Sequence, residues 1–506
     1  MGHIAAKDVY RRLGHAIDNT PVRTPWNDAF HAMLRELYTP EEAELVVRMP
    51  YRPSSIGRLE RVTGMHRARL QGLLDRLCDK GLVLDIREDG DHMANAIGAA
   101  NPTGTARAAG AAEAAEAAGH LAASAQGHGG HDGHVHPHVH PHQHARAANG
   151  QPEHHPAASG SPVSPASHHP DDGCLYMISP IVIGIFEFTM MRTGGALPSK
   201  RWAELFHDYM FGDRAFLDAN FGDGQRVSVM RALPHQQTLG DHVEILDYER
   251  AAALVEQNRT FAVGLCSCRH EKHHLGTRQC DVDMETCTSM GTGAEYLIRH
   301  GFARRIDKAA MHDILARSRD LGFTLSADNV QQGVGFICHC CGCCCNLMQG
   351  IRQWGHAGIL VTSSFIARCD ASLCNGCGLC ERACPIDAVS LPVPPGGRKR
   401  DRRCVVDEAY CLGCGACALK CPTGALRLHP RERKVLHPAD SFERVILQSL
   451  ERGTLQNLVF DNPNSRTQEF MRGLVGGFLR LGPVKRALMG EALRSRFLDA
   501  VRRMAG

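Results

Sequence analysis

The densest concentration of reactive side chains is the stretch ICHCCGCCCN, which runs from Ile337 to Asn346. Six of its residues are cysteines: Cys338, Cys340, Cys341, Cys343, Cys344 and Cys345. Thiols this close together can serve as disulfide partners, zinc ligands, iron–sulfur ligands or redox catalysts. Adjacent cysteines cannot both reach one small cluster without strain, so one cluster plus spare thiols is one interpretation of this stretch.

A second group of cysteines lies upstream in FAVGLCSCRHEKHHLGTRQCDVDMETCTSMG, at Cys266, Cys268, Cys280 and Cys287. Four thiols after an apolar, strand-like run suit a four-coordinate site, for which an iron–sulfur cluster is favoured and zinc is the alternative. Arg269 and the neighbouring His and Lys side chains would stabilise thiolates and an anionic cluster. The two groups could also share ligands, giving ten thiols for two clusters. An unusual non-cubane cluster, or a thiol pair that binds soft metals, stays open for 338–345.

Two further cysteine runs are repeats of each other. DASLCNGCGLCERACPIDAVSL begins at Asp370, and DEAYCLGCGACALKCPTGALRL begins at Asp407, 37 residues later and without a gap. Each run reads C-x2-C-x2-C-x3-C-P, a spacing that wraps a loop around three corners of a cubane and sends the fourth cysteine elsewhere. Glycines inside the loops allow a close approach of the backbone.

These repeats resemble bacterial ferredoxins with two [4Fe–4S] clusters, over about residues 369–428. The resemblance implies one cluster held by Cys374, Cys377, Cys380 and Cys421, and a second held by Cys411, Cys414, Cys417 and Cys384. Cys369 and Cys404 fall outside the pattern and are not expected to be ligands. The basic insert PVPPGGRKRDRR between the repeats is expected to be an exposed loop, either a docking patch for an acidic redox partner or a solvated loop.

The order of CSCRHEKHH, DNVQQGVGFICHCCGCCC and a ferredoxin tail also resembles a group of prokaryotic cytosolic iron–sulfur proteins. That resemblance extends from about Cys174 to the C-terminus and implies no firm reaction.

The composition narrows the class of protein. The chain has 506 residues, 22 cysteines, 30 histidines and a net charge of +3, so no global attraction to nucleic acid is expected. The N-terminus lacks the apolar core of an export signal. The longest nearly apolar run, from Met177 to Phe186, is far shorter than the ~20 residues that span a bilayer. We therefore expect a cytoplasmic protein without a transmembrane segment, whose reduced thiols bind metal.

The N-terminal region has a helical pattern. Between Thr39 and Asp89 the sequence predicts three helices and a strand, with Thr39 as one N-cap and Gly81 as a C-terminal stop. This order resembles a winged helix-turn-helix domain. It would bind DNA through Arg67 and Arg69 near the start of the third helix, or it would dock a protein partner.

The predicted fold class is α+β and multidomain. We expect a winged-helix-like domain at 1–92, a disordered Ala/Gly/His-rich linker at 93–172, a Cys-rich metal-binding α/β domain at 173–368, a two-cluster ferredoxin domain at 369–430 and a helical region at 431–506. The linker carries twelve histidines between His128 and His169, which suggest metal buffering or a solvated linker. The last helix is basic and amphipathic, with Arg480, Lys485, Arg486, Arg494, Arg496, Arg502 and Arg503. It is interpreted as a peripheral membrane or partner-binding helix, or as a cap over the ferredoxin domain.

Together these patterns predict an iron–sulfur electron-transfer protein that relays single electrons between redox partners. Two [4Fe–4S] clusters are expected, with one or two further iron–sulfur clusters or zinc upstream. The chain lacks a dinucleotide-binding GxGxxG motif after a strand, so electrons are expected to come from a partner protein. The alternatives are a catalytic reductase subunit that uses the cysteines at 338–345, and a redox-sensing transcriptional regulator. An electron-transfer protein or oxidoreductase subunit is favoured over a stand-alone enzyme.

Overall fold

The computed structural model describes residues 8–87, 173–192, 199–222, 225–239, 244–355, 357–432, 435 and 437–505. It mixes helices with small sheets, as the predicted α+β class requires. The predicted linker at 93–172, with its histidines, lies outside the described residues.

The N-terminal region contains the three helices and the strand that the sequence predicts between Thr39 and Asp89, together with two earlier helices and a short strand at Ser54. Their bounds are α1 Val9–Asp18, α2 Asp28–Leu37, α3 Pro40–Arg48, β1 Ser54–Ser55, α4 Ile56–Thr63, α5 Arg67–Asp79 and β2 Val83–Ile86. Thr39 and Glu42 form a capping box at the start of α3, which satisfies free N–H groups there. The candidate DNA-contacting residues Arg67 and Arg69 pair with Glu60 and Glu41, at 3.7 and 2.7 Å.

A strand from beyond the linker completes the N-terminal sheet. Strand β3, Leu175–Ile178, pairs antiparallel with both β1 and β2, giving the order β1-β3-β2. This sheet therefore joins residues from both sides of segment 93–172. Asp85 in β2 also accepts hydrogen bonds from Arg299 at 3.0 and 3.1 Å, which ties the N-terminal region to the cysteine-rich region.

The cysteine-rich region is built on a six-stranded antiparallel sheet of order β4-β8-β9-β6-β5-β7. Its strands are β4 Met230–Leu233, β5 Phe261–Leu265, β6 Glu285–Met290, β7 Ala303–Ile306, β8 Thr324–Asp328 and β9 Phe336–Cys340. The surrounding helices are α6 Phe186–Met191, α7 Ser199–Phe211, α8 Ala215–Leu217, α9 Ala251–Glu256, α10 Ser267–His274, α11 Gly291–Arg299, α12 Lys308–Leu321 and α13 Asn346–Trp354. The predicted strand FAVGL is β5, and Cys266 follows it directly.

The ferredoxin-type region carries two short antiparallel strand pairs and two short helices. Strand β10, Phe365–Cys369, pairs antiparallel with β13, Leu426–Pro430. Strand β11, Val389–Ser390, pairs antiparallel with β12, Val405–Val406, and the basic insert connects these two strands. The helices are α14 Leu379–Ala383 and α15 Ala416–Leu419.

The C-terminal region is helical, as predicted. Its helices are α16 Ser441–Arg452, α17 Leu455–Val459, α18 Arg466–Leu479, α19 Gly482–Met489 and α20 Glu491–Ala505. Asp461 accepts hydrogen bonds from Arg52 and Arg58 at 3.0 and 2.8 Å, so this region packs on the N-terminal helices, whereas the cap interpretation placed it over the ferredoxin domain. Among the described residues, none of the helices has the length and apolar character needed to cross a membrane.

Candidate metal centres

The two ferredoxin repeats exchange their fourth cysteines in space. A small cavity is lined by Cys374, Cys377 and Cys380 of the first repeat together with Cys421 of the second; we call these four residues site I. The thiol of Cys384 lies near those of Cys411, Cys414 and Cys417; these four form site II. This arrangement is the crossing that the ferredoxin resemblance implies.

Close backbone packing shapes the loop of site II. Gly413 has φ of 67°, and a Cβ there would lie 2.0 Å from the carbonyl oxygen of Phe365. No side chain fits at that position, so the loop requires glycine. The backbone N–H of Ala388 donates to Cys384 Sγ at 3.2 Å, and the hydroxyl of Thr324 donates to Cys414 Sγ at 3.4 Å. Such donors stabilise thiolates and cluster-bound sulfur.

The two sites differ in exposure. Cys411, Cys414 and Cys417 of site II are buried, whereas Cys377 of site I is the one exposed cysteine among the described residues. Site I is therefore the side of the ferredoxin region that a soluble partner can approach.

Two cysteines outside the repeat pattern lie beside site I. Cys404 is within hydrogen-bonding reach of Cys380 and of Cys369. Cys369, the last residue of β10, is also within reach of Cys374. The sequence pattern gave these two residues no role, because nothing local links position 404 to the first repeat.

The ten upstream thiols divide into two groups. Four thiols, those of Cys280, Cys341, Cys343 and Cys344, lie within 4.8 Å of one another; we call them the four-thiol group. Cys280 Sγ is 3.9 Å from Cys341 Sγ and 3.7 Å from Cys344 Sγ. The sequence suggested one group of Cys266, Cys268, Cys280 and Cys287. In the structure, Cys280 instead lies with three cysteines of the 338–345 stretch.

The other six cysteines form a closed series that we call the six-thiol ring. Cys268 contacts Cys345, Cys345 contacts Cys340, and Cys340 contacts Cys338. Cys338 then contacts Cys287, and Cys266 lies near both Cys287 and Cys268. Cysteines of both stretches therefore occur in each of the two groups.

Strand geometry explains how the crowded stretch divides. Cys338 and Cys340 are two residues apart on β9, so both side chains point to the same face. His339 points to the opposite face, where its ring nitrogens lie 2.7 Å from the Ser318 hydroxyl and 3.0 Å from the Thr288 hydroxyl. The strand then ends, and the following turn carries Cys341, Cys343 and Cys344 away from the ring. The contacts of His339 with the buried hydroxyls of Ser318 and Thr288 fix which face of β9 carries the cysteines.

Arg269 lies between the two thiol groups. It is 1% exposed, and its guanidinium donates to the His339 carbonyl oxygen at 2.8 Å and to the Thr286 hydroxyl. Burial by itself would lower the pKa of Arg269, but the thiols of Cys266, Cys341, Cys280 and Cys340 raise it above its ordinary value. The ionisable groups nearest to its charge are therefore thiols.

This environment fits a metal–thiolate assignment. A buried cation requires an anionic partner, and the groups that surround Arg269 are thiols, which become anionic when they are deprotonated or bind metal. The Arg269 Nε atom also has no hydrogen-bond partner among the described residues. The donor set, all sulfur, is the one that iron–sulfur clusters and zinc share.

The other basic residues expected near these thiols have different partners. Lys272 Nζ is 3.0 Å from Glu271 and 2.8 Å from the Asn346 side chain. His270 directs Nδ1 to the Met190 carbonyl oxygen at 2.6 Å. These contacts fix helix α10 against α13 and α6, so their role is to position the loops that carry the cysteines.

The four centres are contiguous. Gly342, inside the four-thiol group, packs so closely on Pro385 that a Cβ at Gly342 would lie 3.1 Å from Pro385 Cα. Pro385 follows Cys384 of site II directly, and Cys343 and Cys384 line one surface cavity. The four-thiol group and the six-thiol ring share the peptide bonds Cys340–Cys341 and Cys344–Cys345. The thiol of Cys417 in site II also lies near that of Cys380 in site I, so a path of thiol groups runs from site I into the cysteine-rich region.

The six-thiol ring borders a large cavity. Its volume is about 580 Å³, and apolar side chains such as Phe186, Met191, Leu297 and Phe336 line it together with the ring cysteines. Glu187 also lines this cavity and accepts a hydrogen bond from the Gly184 N–H at 3.0 Å. Burial raises the pKa of Glu187 to about 7. No motif points to Glu187, because it is an isolated acid in an apolar run of the sequence.

Comparisons with known proteins agree with the geometry of sites I and II. No curated protein and no solved structure matched the chain. Residues 373–425 match the family model of a 4Fe-4S dicluster domain, so this part of the chain carries an iron–sulfur domain with electron-transfer capacity.

Proposed function

We propose that the protein is an iron–sulfur electron-transfer protein in which four metal–thiolate centres lie in series. Site I and site II hold [4Fe–4S] clusters, and the four-thiol group and the six-thiol ring hold further iron–sulfur clusters. The observation that carries this proposal is the contiguity of the sulfur sites, from exposed Cys377 through Gly342 and Pro385 to the ring. Iron–sulfur clusters supply reversible one-electron transfer, and the protein sets their potentials through ligands, hydrogen bonds and burial.

The basic insert is the proposed docking surface for an acidic redox partner. It connects β11 to β12, and its residues from 394 to 400 are largely exposed. Arg402 turns back and donates to the Gly376 carbonyl oxygen at 2.6 Å, which holds the loop beside site I. A partner drawn to Lys399 and Arg400 would therefore arrive next to Cys377. Association through such a surface weakens as salt increases.

A reductase subunit is the second candidate, and the cavity beside the six-thiol ring favours it. Substrate sites are apolar cavities with few polar groups, and apolar side chains line most of this cavity. Glu187 is placed to hold or donate a proton there, because its pKa near 7 matches the requirement for a general acid at neutral pH.

The C-terminal region is the proposed contact with an anionic membrane surface. Phe470, Leu474, Phe478 and Leu481 are between 53% and 71% exposed, and their spacing places them along one side of α18 and its end. Residues 466–506 contain nine Lys and Arg against three Asp and Glu. An apolar stripe bordered by positive charge is typical of helices that lie on anionic lipid.

Metal analysis tests the number of centres. The full chain is purified without oxygen, and iron, acid-labile sulfide and zinc are measured per chain, together with EPR spectra of the reduced protein. Four clusters predict about sixteen irons per chain, at four per cubane. About eight irons with zinc would assign zinc to the upstream thiols and restrict electron transfer to sites I and II. Absence of iron from every preparation would contradict the proposal.

A further inference from the structure

The surroundings of site I contain more thiols than one cubane needs. The small cavity at site I is lined by six cysteines: Cys369, Cys374, Cys377, Cys380, Cys404 and Cys421. A [4Fe–4S] cluster takes four of them. The two in excess are Cys369 and Cys404, and both lie at the site rather than on the surface.

The excess thiols touch particular ligands. Cys404 is 7% exposed and is within hydrogen-bonding reach of Cys380. Cys369 reaches both Cys404 and Cys374. The proposed cluster ligands Cys374 and Cys380 therefore each have one additional thiol beside them.

The internal repeat shows that this arrangement is specific to site I. The position one repeat period before Cys404 is Ala367, and the position one period after Cys369 is Val406. Site II therefore has alanine and valine at the repeat-equivalent positions where site I has cysteines. Ala367 lies in β10 and is 1% exposed, so its packing leaves room for only a small side chain.

We propose that Cys404 and Cys369 are reserve ligands of site I, able to replace Cys380 and Cys374 respectively. In the exchange, the bond between iron and Cys380 Sγ breaks and a bond between the same iron and Cys404 Sγ forms. The proton of the Cys404 thiol passes to the released Cys380 thiolate, so no electron and no additional reactant is needed. The inference rests on the proposal that site I binds a cluster.

Exposure gives the reserve thiols a role. Cys377 makes site I the accessible end of the path, where solvent, chelators and oxidants reach the cluster first. A site that can recover a lost iron–thiolate bond from a neighbouring thiol retains its cluster longer. Site II has three buried cysteines and no exposed one, so its cluster would be less accessible to these agents.

Alanine variants of the full chain, reconstituted without oxygen, test the proposal. Cys380→Ala is expected to keep the wild-type iron content, with a changed EPR signal for site I, because Cys404 takes the vacated position. The double variant Cys380→Ala/Cys404→Ala is expected to lose about four irons per chain. The matched control is Cys417→Ala, the repeat counterpart of Cys380, which is expected to lose about four irons as a single variant.

A variant that restores iron binding at site II provides the complementary test. Adding Ala367→Cys to Cys417→Ala places a thiol at the position equivalent to Cys404, and recovery of the lost irons is expected. If Cys380→Ala alone loses as much iron as the double variant, the reserve role is wrong, while a wild-type chain without iron would instead contradict the proposed function.

A second measurement avoids the ligand substitutions, which can impair folding. Cys404→Ala and Cys369→Ala leave all eight ferredoxin ligands in place, so both variants are expected to contain the wild-type amount of iron. Under an iron chelator, they should lose the iron of site I several-fold faster than the wild type does. Equal rates of loss would overturn the proposal.

Discussion

At the scale of single residues, Arg269 and Glu187 are the two ionisable side chains whose environments carry functional information. Arg269 is buried among thiols, and a buried cation requires an anionic partner, which thiolates would supply. Glu187 is half-buried in an apolar wall, where desolvation raises its pKa and favours its protonated form. Arg269 therefore tests the proposed anionic charge of the thiol groups, and Glu187 tests the polarity of the cavity.

Replacing Arg269 tests its role as the counter-charge. Arg269→Gln is expected to reduce the metal content of the four-thiol group and the six-thiol ring, because anionic centres in a buried site lose their compensating cation. Sites I and II should keep their clusters. Metal analysis and EPR per chain measure the difference.

The control for this change is Arg231→Gln. Arg231 is equally buried at 0% exposure, but its guanidinium donates to backbone carbonyl oxygens of Tyr248, Asp328 and Val330. Its loss should lower stability without selective loss of upstream metal. The same metal loss in both variants would show that Arg269 acts only through the fold.

The raised pKa of Glu187 predicts that the stability of the protein depends on pH. Its folded-state pKa of about 7 lies above the ordinary value of 4.5, so its contribution is present below pH 4.5 and is lost as the pH rises through 7. Glu187→Gln keeps an acceptor for the Gly184 N–H and should stabilise the protein at pH 8 by up to ~3 kcal/mol, with little change at pH 4.5. Thermal unfolding at both pH values measures this. An unchanged pH profile of stability in Glu187→Gln would be the contrary result.

At the scale of elements, the pairing of strands brings distant cysteines together. Strands β6 and β9 are neighbours in the sheet, and this pairing places Cys287 beside Cys338. Helix α10 begins directly after β5, which puts Cys266 and Cys268 at the same edge. The turn between β9 and α13 then bends toward Pro385 of the ferredoxin region. The contact at Gly342 is therefore the junction between the cysteine-rich region and the ferredoxin-type region.

Widening this junction should slow electron transfer. Gly342→Val adds a side chain against the Pro385 backbone and pushes site II away from the four-thiol group. We expect the metal content to stay at the wild-type level, while reduction of the upstream centres after reduction of site I becomes several-fold slower in rapid-freeze EPR. Gly72→Val, on an outer helix where a Cβ meets only the end of the Arg76 side chain at 3.8 Å, is the control. Equal rates in the two variants would place the path elsewhere.

At the scale of the whole molecule, the centres and the proposed contact surfaces occupy different regions. Site I and the basic insert belong to the ferredoxin part, and the exposed apolar stripe lies on α18. The cavity is lined by the cysteine-rich part together with residues of the N-terminal and C-terminal regions. The C-terminal region packs on the N-terminal helices through Asp461. Membrane contact and partner docking therefore use separate surfaces and can be tested independently.

Vesicle binding tests the apolar stripe. The full chain should co-sediment with vesicles that contain anionic lipid, more strongly at low salt than at high salt. Phe470→Asp/Phe478→Asp should abolish binding, since it removes two inserted side chains and adds repulsive charge. The control Leu321→Asp alters a leucine that is 52% exposed on α12 and should bind as the wild type does. Equal co-sedimentation of the two variants with vesicles would contradict the membrane assignment. Dimer formation in the absence of vesicles would contradict it as well.

The sequence by itself determined the local chemistry of this protein. The spacing of Cys374, Cys377 and Cys380 encodes a loop, because three ligands within seven residues need only local backbone geometry. The cap at Thr39 is equally local, and its helix begins where the cap predicts. The matching domain model at 373–425 agrees with the cysteine pattern found from spacing alone.

Only the tertiary structure decided how distant thiols are grouped. Cys280 joins Cys341 and Cys344, and Cys404 meets Cys380, because strand pairing and the crossing of the two repeats bring together positions separated by many residues. Register is set by burial on both faces of a sheet, as His339 illustrates on the face opposite the ring. The cavity at Glu187 likewise arises from several elements that no single stretch of sequence describes.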